Sequence, residues 1–81
     1  MRISVMQHHI DAGVRGSCTQ DPIALALKDA GFSRPWVNPV RIRIEEPVHK
    51  EFALPDEVYA FMLLFDTHKT VEPFEFELEE K

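Results

Sequence analysis

Apolar and polar positions change period several times along this chain, and each change predicts an element. Residues 2–6 alternate, as a half-buried strand does, with Ile3 and Val5 facing inward. Residues 7–12 fit one helical turn, ended by Gly13. Residues 22–30 repeat at helical spacing: Ile23, Ala26, Leu27 and Ala30 form one stripe, with Leu25 on the opposite side. Asp21 is a good N-cap, Pro22 suits the first helical position, and Gly31 supplies a left-handed stop. Residues 32–35 read as a turn, because Pro35 disfavours helix before it, and 36–39 as an extended stretch, with Pro39 marking an edge or a bend.

Residues 40–44 alternate most clearly, with Val40, Ile42 and Ile44 on one face and Arg41 and Arg43 on the other. Residues 45–47 turn the chain. Residues 48–54 follow as an antiparallel partner, with Val48, Lys50, Phe52 and Leu54 on one side and His49, Glu51 and Ala53 on the other. A second helix starts at Pro55 with core positions Val58, Phe61, Met62 and Phe65. Tyr59, Leu63 and Leu64 lie off that stripe. Residues 71–78 close the pattern as a strand, with Phe74, Phe76 and Leu78 inward and Glu75, Glu77 and Glu79 outward. The expected class is α+β: a single domain, residues 1–81, with a small antiparallel sheet and two helices on one face. The order is that of a ferredoxin-like βαββαβ sandwich. An irregular α+β fold is the alternative, since Pro35, Pro39 and Pro73 shorten strands.

Length changes the picture next. A chain of 81 residues buries a modest core, and self-association is a common remedy. The off-stripe residues Tyr59, Leu63 and Leu64 are therefore the candidate surface of a homo-oligomer. One cysteine, Cys18, excludes an internal disulfide. No segment reads as a secretory leader, and no apolar run approaches membrane-spanning length, so a cytoplasmic protein without a membrane partner is expected.

The net charge of −5 conceals an asymmetry. In residues 1–43, six Lys and Arg face three Asp, giving +3; in residues 44–81, three Lys face eleven carboxylates, giving −8. That balance excludes a duplex nucleic-acid binder and leaves room for a local positive patch. Arg15, Arg34, Arg41 and Arg43, the Ser17 and Thr19 hydroxyls of the 16–20 loop, and Trp36 are the candidate ligand-binding residues. Guanidinium groups bind phosphate bidentately, and an aromatic ring stacks a base. The alternative for Arg41 and Arg43 is a solvated sheet face, paired with Glu51 across the hairpin.

No catalytic motif is present. His8, His9 and His49 are candidate bases and Cys18 a candidate nucleophile, but no spacing links them, so the chain is not read as an enzyme. His8 and His9 are helix neighbours about 100° apart, which disfavours a shared metal; neither metal nor cofactor is expected.

Three stretches together carry a family resemblance. They are His9-Ile10-Asp11-Ala12-Gly13 with Arg15-Gly16; Cys18 followed by Pro22-Ile23-Ala24-Leu25-Ala26-Leu27; and Leu54-Pro55 with Val58, Phe61, Phe65-Asp66 and Val71-Glu72-Pro73-Phe74-Glu75-Phe76. In these the chain resembles a group of small bacteriophage-encoded proteins, at both ends and not over residues 33–50. Where the group has Cys directly before the Pro, this chain has Asp21. The resemblance implies a setting, the cytoplasm of a host bacterium. It also implies two modes of action against host defence: sequestering a phosphorylated signal such as a nucleotide, or blocking a host protein.

Overall fold

The computed structural model describes residues 1–46, with the side chain of Glu46 excepted, and 49–78. Eight elements follow in order: β1 (Arg2–Val5), α1 (Gln7–Ala12), α2 (Pro22–Asp29), β2 (Ser33–Val37), β3 (Arg41–Glu46), β4 (Lys50–Ala53), α3 (Asp56–Asp66) and β5 (Phe74–Glu77). The class is α+β with antiparallel pairing in both sheets. Its strands form two sheets: β1 pairs with β5, and β2, β3 and β4 form a meander in that order.

α2 starts and stops where its sequence says. Asp21 is the N-cap and its carboxylate accepts the Ala24 amide at 2.6 Å. At the other end Gly31 takes φ +104°, its amide donates to Lys28 O at 3.0 Å, and the Phe32 amide donates to Leu27 O at 3.1 Å. This pair of bonds is a Schellman motif, which satisfies carbonyls that the helix leaves open. Ile23, Ala24, Ala26 and Leu27 are buried. Ala30, expected in the stripe, is exposed, and Ala24 is buried with the others.

The core joins Ile3, Val5 and Phe76 from the two-stranded sheet with Val37, Ile42, Ile44 and Phe52 from the three-stranded one. α3 adds Val58, Phe61 and Phe65, and Leu78 follows β5. β2 corrects the expected turn at 32–35. It is an edge strand, where proline costs no ladder bond, and Pro35 is buried opposite Ile44. Val40, expected inside with Ile42 and Ile44, is 66% exposed. Asn38 Oδ1 accepts the Val40 and Arg41 amides, each at 2.8 Å, so the chain turns there and β3 starts only at Arg41. Val48 and Glu79, expected in strands, lie outside the described residues.

Gly13 has a steric role. A Cβ at this position would lie 2.6 Å from Pro22 Cδ and Cγ, atoms of a rigid ring at the buried start of α2. Gly13→Ala is expected to destabilise by about 1–3 kcal/mol through overpacking, seen as a drop of several degrees in Tm. An unchanged Tm would show that the α1–α2 connection yields freely.

Asp21 carries a second test. It is 4% exposed, and burial raises its carboxyl from 3.8 to about 7, against the lowering pull of the Ala24 amide; the charge of Asp66 adds to the rise. Between pH about 4 and 7 the folded state therefore keeps a proton that the unfolded state releases. The stabilising contribution of this group is full below pH about 4 and is lost as pH rises through 7. Asp21→Asn, which still caps, should gain in Tm relative to wild type across that window; a difference independent of pH would show an ordinary carboxyl.

Candidate functional site

The outward face of the three-stranded sheet carries a continuous chain of charges. Arg41 donates to Glu51 Oε1 at 3.0 Å, and His49 bridges Glu51 and Glu45 at 3.3 and 3.2 Å. The Arg43 Nε lies 3.0 Å from Glu45 Oε1, an ion pair whose N–H is not aligned as a hydrogen bond. The two carboxylates hold His49 above its usual range; His49 and then Arg41 hold Glu51 below its own. Trp36 stands directly opposite Arg43 in the β2–β3 register, and the guanidinium carbon sits 4.5 Å from the ring centroid. This cation–π contact fixes a planar group on a planar ring.

Beside this pair lies an open cleft of about 500 Å3, lined by Thr19, Lys28, Arg34, Pro35, Trp36, Arg43 and Glu45. Three cations against one carboxylate make it locally positive in a chain of net charge −5. The Val37 amide donates to Cys18 O at 2.9 Å, which pins the loop before α2 to the end of β2 and brings Thr19 to the cleft.

Four of the seven residues expected to bind ligand meet here: Thr19, Arg34, Trp36 and Arg43. The other three lie elsewhere. Arg41 sits one outward position along β3 and is paired with Glu51, as a solvated sheet face would have it. Arg15 donates from Nε to Phe65 O at 3.0 Å and lies 4.9 Å over the Phe65 ring, so it closes the C-terminal end of α3. Ser17 Oγ accepts the Thr19 and Gln20 amides at 3.3 and 3.0 Å, which shapes the loop. In the first turn of α2 the Ala24 amide is taken by the Asp21 carboxyl. Lys28 is the residue that sequence reasoning missed; its place on the polar side of α2 was the available signal.

Tyr59, Leu63 and Leu64 lie on the outer face of α3, exposed by 47, 54 and 45%. That placement agrees with their position off the core stripe.

A separate cluster joins α1 to α2. His9 Nε2 is 2.5 Å and His8 Nε2 3.3 Å from the same Asp29 oxygen, and the two rings are 4.0 Å apart. The shared carboxylate overcomes the angular separation expected of helix neighbours, and the two imidazoles, His9 first, lower Asp29 below its usual range. The three donors are close enough to face one cation. The tautomer of His9 opposes it. The Met6 amide donates to Nδ1 at 2.9 Å, so that nitrogen is the acceptor and the proton sits on Nε2, directed at Asp29. A metal on Nε2 would move the proton to Nδ1, against the Met6 N–H. His9, 4% exposed, is therefore a structural tie between helices.

Compared with known proteins, the chain matches no protein-family model, no curated protein and no solved structure.

His9→Ala is expected to lower unfolding free energy by roughly 1–3 kcal/mol, the cost of leaving a part-buried donor unpaired, measured by urea denaturation. Zinc ions should leave the wild-type Tm unmoved; a rise abolished by both His8→Ala and Asp29→Asn would show that the cluster takes a metal.

Proposed function

We propose that this chain is a small binding protein for a phosphorylated, ring-bearing molecule such as a nucleotide, held in the cleft between the flank of α2 and the β2–β3 hairpin. The observation that carries this reading is the Arg43 guanidinium stacked on Trp36, with Lys28, Arg34 and Thr19 on the same cleft. A stacked guanidinium has little orientation left to lose when it meets phosphate. Together with the phage resemblance, the reading is sequestration of a nucleotide signal in the cytoplasm of a host bacterium. Among the described residues no helix is long and apolar enough to cross a membrane.

The exposed face of α3 supports a second reading. Tyr59, Leu63 and Leu64 form an apolar surface that either joins copies of this chain into a homo-oligomer or blocks a host protein. Leu63→Glu with light scattering separates the two, since only the oligomer changes mass.

The binding reading is tested by thermal shift with mono-, di- and cyclic nucleotides. A ligand that binds only the folded state raises Tm. Arg43→Ala should weaken binding about tenfold or more, the loss of one charge-assisted contact of roughly 1.5–3 kcal/mol. Arg41→Ala should leave affinity nearly intact. A panel that moves the wild-type Tm nowhere would overturn the reading.

A further inference from the structure

α3 is buried on one side only. At about 100° per residue, Val58, Phe61 and Phe65 gather on the buried side, and Asp56, Ala60 and Leu63 run along the opposite, exposed side. Tyr59 and Leu64 flank that exposed line, one on each side of it. The outward face is therefore apolar along its middle, with a small residue, Ala60, next to a large one, Leu63. On the Leu64 flank a groove of about 410 Å3 opens between α3 and residues 70–74, walled by Ala60, Phe61, Val71 and Phe74.

Charge is divided between the two ends of this face. Asp56 and Glu57 stand in the first turn, no basic residue lies in the last, and His68 and Lys69 follow the Thr67 cap. All four side chains are exposed and have no partner among the described residues. Asp66, the remaining acid of the helix, is turned to its own chain, where it accepts the Gly16 amide at 3.2 Å. A face that is acidic at one end and basic at the other complements itself when reversed. A foreign segment of a single charge would be repelled at one end.

We propose that the outward face of α3 seats a second copy of this chain, the two helices antiparallel about a two-fold axis that passes between Ala60 and Leu63. The proposal rests on the homo-oligomer reading above and deepens it by naming the contact. In such an isologous pair every contact occurs twice. Leu63 of one copy fills the space beside Ala60 of the other, large against small. Tyr59 covers the other copy's Leu63, and Leu64 reaches the mouth of the other copy's groove. Asp56 and Glu57 come over the opposite His68 and Lys69, and the helix dipoles run in opposition, positive end beside negative end.

Light scattering at tens of micromolar should give twice the 9.4 kDa of one chain. Leu63→Glu, at a site 54% exposed, should leave the far-UV circular dichroism unchanged and return the mass to that of one chain. Glu57→Lys and Lys69→Glu should each weaken association several-fold, because each replaces two attractions at the rim by two repulsions. The double variant carrying both changes should recover the wild-type association. Wild type that stays monomeric at that concentration would overturn the proposal and the homo-oligomer reading together. An oligomer whose mass Leu63→Glu leaves unchanged would overturn the proposal alone, the contact lying on another face. Dissociation by Leu63→Glu without recovery in the charge-reversed double variant would overturn the antiparallel pairing.

Discussion

Burial of one face of α2 is the constraint on which the remaining structure depends. The two sheets share no ladder among the described residues, and α2 packs against β1 of one and β2 of the other while α1 lies along it. Ile23, Ala24, Ala26 and Leu27 are the contact. An eight-residue helix is too short to persist alone, so the joint is itself held by its ends: Asp21 and the close seat of Pro22 on Gly13 at the start, the Gly31 turn at the finish. The cleft inherits this arrangement. Thr19 precedes the helix and Lys28 belongs to its last turn, so any change in how α2 sits would move two of the lining residues against Trp36 and Arg43.

The opposed charges of the two halves of the chain meet on the β3–β4 hairpin. Arg41 and Arg43 come from the positive half, Glu45 and Glu51 from the negative half, and His49 links the two carboxylates. These groups are solvated, and such pairs add little to stability. Their effect is on arrangement: Arg41 and Arg43 each sit against a carboxylate of the same face.

The Asp-Pro start and Gly stop of α2 are written in adjacent residues, as are the buried Ile42 and Ile44 of β3 and the off-stripe Tyr59, Leu63 and Leu64. Val40 shows a local cause that alternation does not carry: Asn38, two residues before it, turns the chain and leaves Val40 outside. Other differences depend on contacts distant in the chain. Arg15 looked like an anion ligand beside a polar loop; its partner is the Phe65 carbonyl, 50 residues later. Residues 33–35 looked like a turn because proline is there, and only pairing with β3 makes them a strand. The division into two sheets is invisible to alternation, which states that a residue faces inward and not which strand lies beside it. The His9–Asp29 contact spans 20 residues and fell outside any spacing rule for neighbours on one helix.

β1 and β5 are joined residue by residue, Arg2 to Glu77 through Val5 to Phe74, and the Met1 and Leu78 backbones add bonds beyond them. Half of this sheet therefore belongs to residues made some seventy positions before the other half. Pairing so distant in sequence is slow to form, because the intervening chain must be ordered before the contact is rewarded. During synthesis Ile3 and Val5 leave the ribosome long before Phe76 exists to cover them. For that interval the nascent chain carries an open apolar edge, so this domain completes its fold only after its last strand has emerged.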